Sequence, residues 1–210
     1  MQRLERLAVR FPFLYRPVVQ LKAATYPALV RQEFTKDMHT EFESLKPYLP
    51  KEAKAILDIG CGVAGLEVFL SEHYNHEVDI YLLDKTAVDR RVYYRFEPRG
   101  SFYNDLSIAR DILIANGTSA SRIHLQEATA DNKILFEAQF DVVISLMSWG
   151  FHYPVTTYLK AAHEKLKKGG VLLLDVRAGV GAEDEIKQLF GNCEVIYKTG
   201  KLVKVRATKN

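Results

Sequence analysis

AILDIGCGVAG, residues 55–65, decides how the rest of the chain is read. Ala55, Ile56, Leu57, Asp58 and Ile59 make an apolar, partly β-branched run that is too short for a helix, so a buried strand is predicted there. Gly60, Gly62 and Gly65 follow at once, and the apolar run at 66–70 suits a helix that opens beneath the turn. Strand, glycine turn and helix form the setting in which a G-x-G-x-x-G spacing carries meaning. With no Cβ in the way, glycines allow a sharp bend and let a ligand come close to the backbone. The next apolar run, Ile80, Tyr81, Leu82 and Leu83, ends at Asp84, near the spacing at which an acidic residue grips ribose hydroxyls. The pattern is that of a nucleotide-type cofactor site.

The stretch D-x-G-x-G-x-x-G, with Asp58 inside the strand, resembles motif I of the class I (Rossmann-like) methyltransferases, whose cofactor is S-adenosyl-L-methionine. The resemblance runs from about residue 35 to the C-terminus. It takes in Asp84, the strand FDVVIS at 140–145, and the turn Lys168-Gly169-Gly170 before a strand at 171–175. It implies a seven-stranded, mostly parallel sheet with helices on both faces and a C-terminal antiparallel hairpin. An N-terminal helical extension or lid would occupy residues 1–50, and the cofactor domain residues 51–210. By the same resemblance Asp58 orders the loop and approaches the cofactor's ammonium. Gly60 and Gly62 would meet its amino-acid end, with Cys61 and Gly65 completing the turn. Asp84, followed by Lys85, would hold the ribose. Asp131 is the first choice for the adenine amino group and Glu127 the second, while Ser145 and Leu146 end the fourth strand beside the cofactor.

Composition sets outer limits. The chain of 210 residues is long enough for one domain with an appendage. A net charge of +3 is too small to imply a polyanionic partner. Cys61 and Cys193 fit no zinc or redox spacing and read as reduced thiols of a cytoplasmic protein. No apolar run is long enough to span a bilayer, and no signal-type core opens the chain.

In chain order, Leu4, Leu7 and Phe11 fall on one helical face, with Arg3, Arg6 and Arg10 beside it. Peripheral contact with an anionic membrane surface is one use for such a face. Pro12 and Pro17 then argue against one long helix, and a second helix is expected over about 26–45. The connection 85–104 holds Arg90, Arg91, Arg95 and Arg99 among many aromatics. It is longer than the fold needs, which marks it as functional. Asp105 is placed to cap a helix from Leu106 to Ala115 that stops at Asn116-Gly117. Strands are expected at 123–126 and 141–145, a helix at 155–166, another at 183–190, and a hairpin at 193–197 and 202–207.

The acceptor should face the loop SLMSWGFHYP, residues 145–154, beyond the carboxyl end of the fourth strand. An alcohol acceptor has a proton to lose, and His152 titrates near neutral pH, so His152 is the leading base, with Asp175 as rival. No metal-ligand cluster emerges, although Asp175 or Asp141 would be the residues for a metal-assisted transfer. Trp149, Phe151 and Tyr153 suit the faces of a sugar ring or a flat aromatic acceptor. Tyr103, Arg95, Arg99 and Arg177 complete the acceptor set, the arginines for an anionic group. The [N/D]-P-P-[Y/F/W] motif of amino-methyltransferases acting on nucleic-acid bases is absent, which counts against a nucleic-acid acceptor. SWGFHYP together with YNDL at 103–106 resembles small bacterial methyltransferases of glycans and natural products. O-methylation of a small-molecule hydroxyl, with a sugar leading, is therefore expected. Two alternatives stand beside it: a non-catalytic protein that binds the cofactor as partner or sensor, and an NAD-dependent oxidoreductase. The oligomeric state is open.

Overall fold

Every residue of β1 (Ala55–Ile59) is buried, and the sheet grows outward from it on both sides. The computed structural model describes residues 12–88 and 103–210. On one side β1 pairs in parallel with β2 (Asp79–Asp84), which pairs in parallel with β5 (Ile123–Glu127). On the other side β6 (Phe140–Ser145) and then β8 (Leu166–Arg177) continue the parallel ladder. β10 (Leu202–Thr208) runs antiparallel beside β8 and carries β9 (Glu194–Lys198) at the far edge. The order is β5-β2-β1-β6-β8-β10-β9, a Rossmann-like sheet closed by an antiparallel hairpin. Strand order reverses between β1 and β6, so a crevice opens there beyond the strands' carboxyl ends.

Residues alternate across a strand, so β1 feeds two cores. Leu57 and Ile59 join Phe140, Val143, Leu172 and Leu174 on the face covered by α5 (Leu159–Lys165) and α6 (Ala182–Phe190). Ile56 joins Leu66, Leu70, Leu82 and Leu113 on the face of α3 (Gly65–His73) and α4 (Leu106–Ala115). Ile56 and Leu57 are fully buried, and each such side chain contributes roughly 1.5–3 kcal/mol. Asp58 follows Ile56 by two positions and shares the α3 face.

Local chemistry explains the ends of these elements. Asp105 accepts hydrogen bonds from Ser107 N at 2.8 Å and Ser107 Oγ at 2.7 Å, capping α4. Asp141 accepts from Lys54 N at 2.7 Å and Ala55 N at 3.0 Å, and so fastens the start of β1 to β6.

Four features differ from the sequence reading. Pro17 lies inside α1 (Pro12–Thr25), and the break falls instead at Tyr26, before α2 (Pro27–Leu45). Pro12 takes the first helical position, where no N–H is needed, so Pro17 alone removes a donor from the ladder. Lys168, Gly169 and Gly170 lie within β8 rather than before it. Gly169 N donates to Lys209 O at 2.7 Å and Lys209 N to Gly170 O at 3.0 Å, which ties the pair to the C-terminal strand while Gly169, at φ +78°, turns the backbone through a bulge where the register against β6 shifts. The loop after β6 contains a strand, β7 (Ser148–Tyr153). The helix expected at 155–166 is a 3₁₀ turn, Val155–Thr157, followed by the shorter α5.

The chain divides into two compact units, residues 1–41 and 42–210. Phe42 and Leu45, in the last turn of α2, are buried in the α3-side core of the second unit. A short antiparallel pair, β3 (Ala87–Val88) and β4 (Tyr103–Asn104), flanks the connection at 89–102, which lies outside the described residues, as does the Leu4, Leu7 and Phe11 face. Among the described residues no helix is long and apolar enough to cross a membrane.

Candidate active site

A cavity of about 400 Å³ opens beyond the ends of β1, β2 and β5, with Gly60, Asp84 and Lys85 on one wall. Ala128, Thr129, Ala130 and Asn132 close it after β5, and Ser148, Trp149, Tyr153, Thr157 and Tyr158 form the facing wall.

The glycine turn is shaped by backbone contacts. Gly60 N donates to Leu83 O at 2.7 Å, tying β1 to β2 just where both strands end. Gly60 has φ +86°, and a Cβ there would lie 1.9 Å from Ser148 Oγ. Gly62 has φ +57°, with open space where its Cβ would stand. Asp84 braces the turn: its Oδ2 accepts from Gly62 N at 2.8 Å and from Asn104 Nδ2 at 3.1 Å, and its Oδ1 from Lys85 N at 2.6 Å. Burial pushes the Asp84 carboxyl up, and these three donors hold it back only in part.

Asp58 and Glu67 face each other beneath the turn. Glu67 is 1% exposed and Asp58 5%. No donor among the described residues reaches Asp58 Oδ1 or either oxygen of Glu67. Burial, and then the charge of Glu67, raises Asp58 well above the usual carboxylate range, and burial raises Glu67. Cys61, buried beside them, is pushed up by burial and then by the charge of Asp58.

The remaining predicted residues divide by position. Gly65 opens α3 and is buried. Glu127 turns to the backbone, accepting from Thr86 N at 2.9 Å. Asp131 is exposed, bound to Lys133 at 2.6 Å, and does not line the cavity; Thr129 and Asn132 do. Ser145 is fully buried: its Oγ donates to Ile59 O at 2.5 Å and accepts from Trp149 N at 3.1 Å. Leu146 packs against the α3-side core. Trp149 and Tyr153 line the cavity, whereas Phe151 is buried behind it under the Arg177 guanidinium, 4.5 Å from its ring centre. Arg177 Nε also donates to Phe151 O at 3.2 Å, so it braces β7. His152 is partly exposed, edge-on to Phe151, and outside the cavity lining. Asp175 is 2% exposed and lies 2.8 Å from Lys204 Nζ, its opposite number in the β8–β10 ladder. That pair closes the carboxylate into the β8–β10 ladder. Tyr103 pairs its backbone with Val88, and Arg95 and Arg99 lie outside the described residues. No group of metal-binding side chains occurs among the described residues.

Sequence reasoning passed over Glu67, Asn104, Thr129, Asn132, Thr157 and Tyr158. Tyr158 OH donates to Asn132 Oδ1 at 3.4 Å, and burial first, then Tyr153 and Asp84, pushes its phenol up. It therefore stays a neutral donor at the cavity wall.

Sheet order, terminal hairpin and glycine turn together define a class I methyltransferase fold. The family model described as a methyltransferase domain matches residues 31–203, and the chain belongs to that family. The protein is thus an S-adenosyl-L-methionine-dependent methyltransferase. A cofactor-bound protein from MTB superposes with TM-score 0.59 at 15% identity, covering 91% of this chain and 96% of its own. A precorrin methyltransferase from Geobacter metallireducens gives 0.56 at 18% identity, with 82% and 87% covered. A T. Thermophilus 16S rRNA methyltransferase, solved with AdoMet and guanosine, gives 0.56 at 18% identity, with 80% of this chain covered. This chain spans only 41% of that protein's length. No curated protein matches the sequence. These neighbours share the fold at low identity.

The residues present fit the cofactor. The cavity volume falls within the range of small-molecule sites. The turn offers bare backbone at Gly62, the Asp84 carboxyl lines the cavity, and the orphaned carboxyl oxygens of Asp58 and Glu67 buried beneath the turn suit a ligand that carries positive charge.

Proposed function

We propose that the protein methylates a hydroxyl of a small-molecule acceptor, with a sugar ring as the leading class. The composition of the wall facing the glycine turn carries this reading: Trp149, Tyr153 and Tyr158 offer aromatic faces, and Thr129, Ser148 and Thr157 offer hydroxyls. Lys85 is the single cation lining the cavity among the described residues, which disfavours a phosphate backbone as ligand.

Asp58, Asp84 and the backbone of residues 60–62 would hold the cofactor's polar end, and Ala128 to Ala130 with Asn132 its base. When bound, the cofactor supplies a methyl group that its sulfonium already makes electrophilic. The chain's task is then to hold the acceptor oxygen in line and to exclude water. Trp149 serves this as a rigid wall: it is 1% exposed, and its Nε1–H donates to Val155 O at 2.7 Å. His152 is proposed to take the acceptor's proton, because it adjoins Tyr153 on the strand that walls the cavity and is partly exposed, whereas Asp175 is closed off by Lys204.

Transfer of labelled methyl from S-adenosylmethionine to a panel of monosaccharides, nucleotide sugars, phenols and short RNAs tests the acceptor class. Labelled sugar is expected, and labelled RNA would sink the reading. On the acceptor found, His152→Gln should lower turnover by about two to four orders of magnitude. Its cofactor affinity should not change.

A further inference from the structure

Three carboxyl groups, Asp58, Glu67 and Asp84, surround the glycine turn, and the charge of each is felt at Cys61 in its middle. Asp84 is satisfied by Gly62 N, Lys85 N and Asn104 Nδ2. Asp58 and Glu67 are not: Asp58 Oδ1 and both oxygens of Glu67 are buried, with no hydrogen-bond partner among the described residues. Orphaned buried carboxyl oxygens normally cost several kcal/mol, so a protein that keeps them has a use for them.

We propose that Glu67 is a cofactor-positioning residue that acts through Asp58: the two carboxyl groups share one proton in the cofactor-free protein, and docking of the cofactor's cationic amino end releases it. The proposal rests on the assignment of this turn to S-adenosylmethionine.

The geometry carries the sharing. Asp58 leaves β1 on the α3 face, and Glu67 sits in the first turn of α3, so the two carboxyl groups meet each other. Two carboxylates in contact without a donor repel; one proton between them turns the contact into a charge-assisted hydrogen bond. The groups facing the pair are Cys61 from the turn and Asp84 from β2. Glu127 of β5 faces Asp84 in turn. All of these are neutral or negative, so among the described residues no cation on these elements competes for the site. An arriving ammonium makes both carboxylates favourable, and the proton passes to solvent.

The test is calorimetric titration of the full chain with S-adenosylmethionine in two buffers of different ionisation enthalpy, between pH 6 and 7.5. The wild type should release a proton on binding, and its affinity should rise with pH across that range. Glu67→Gln keeps the shape and can donate to Asp58, which is then already ionised. Its release should vanish and its affinity become flat with pH. Comparing the two proteins cancels the cofactor's own titration. If Glu67→Gln fails to fold, infrared difference spectra of the wild type replace it: a protonated-carboxyl band should disappear when the cofactor is added. Binding without proton release, an unchanged band, or a folded Glu67→Gln that keeps the wild-type pH dependence or binds no cofactor overturns the proposal. If the wild type binds no S-adenosylmethionine at all, it is the cofactor assignment that fails.

Discussion

Two glycines of the turn make opposite demands, and comparing their alanine variants tests the site's construction. Gly62→Ala places a methyl group in open space at φ +57°. Ala64, at φ 58° in the same turn, already pays that conformational cost, about 1–2 kcal/mol. Gly60→Ala meets the same strain and a collision as well, because its Cβ would stand 1.9 Å from Ser148 Oγ and 2.4 Å from Ser148 Cβ. Rotating the hydroxyl clears only the first contact, so β7 or the turn must shift, adding roughly 1–3 kcal/mol. Urea denaturation should therefore find Gly60→Ala destabilised by about 2–5 kcal/mol and Gly62→Ala by about 1–2 kcal/mol. Ser148→Gly removes both colliding atoms, so the double variant with Gly60→Ala should recover about 1–3 kcal/mol relative to additivity. Cofactor affinity should fall in both single variants, in Gly62→Ala without a matching loss of stability. Equal destabilisation of the two, or strict additivity with Ser148→Gly, would refute the argument that β7 presses on the turn.

Asp141 supplies a pH prediction: burial alone would raise it, but Lys167 Nζ at 2.8 Å and the backbone donors Lys54 N and Ala55 N outweigh that and hold its carboxyl below the usual range. A depressed native value stabilises above the unfolded value and loses its contribution as pH falls through the native one. Asp141→Asn should cost about 1.5–3 kcal/mol at neutral pH. It should converge with the wild type in urea melts below the ordinary aspartate value of about 3.9. The Asp175–Lys204 pair gives the other. Asp175→Asn, which removes the carboxylate 2.8 Å from the buried Lys204 ammonium, should cost about 3–5 kcal/mol in denaturant titrations. Asp175→Leu with Lys204→Met should restore most of it; a stable Asp175→Asn without turnover would instead make Asp175 a chemical group.

The parts of the fold that were legible in the sequence are those encoded by neighbours along the chain. Strand, turn and helix at 55–73 follow from composition and glycine spacing, and the Asp105 cap from one residue type before an apolar helix. The parts misread depend on partners far away in sequence. Gly169 and Gly170 punctuate like a turn, yet Lys209 supplies the hydrogen bonds that draw them into β8. Asp131 and Asn132 are neighbours in a loop, and which of them enters the cavity depends on how the loop lies against Tyr158 and Lys133. Asp175 reads from the sequence as a rival base at a strand tip, with Arg177 two residues away as its only nearby cation, because Lys204 comes from the last strand.

Glu67 shows a different limit. It stands inside LEVFL, residues 66–70, a run read as apolar because four of its five members are. Hydrophobic periodicity treats one glutamate among leucine, valine and phenylalanine as tolerable noise, since on most helices it would turn to solvent. Here it cannot: Gly65 fixes where α3 begins, and the first turn places Glu67 inward, over β1, at 1% exposure. Chain direction and the register of α3 on the sheet therefore make a buried partner of Asp58 out of a residue that pattern alone assigns to nothing. The signal available beforehand was the conjunction of Asp58 in the strand and an acid two residues beyond Gly65. In a Rossmann-like unit those two positions converge under the turn, which is why the pair, rather than either residue singly, is the feature to test.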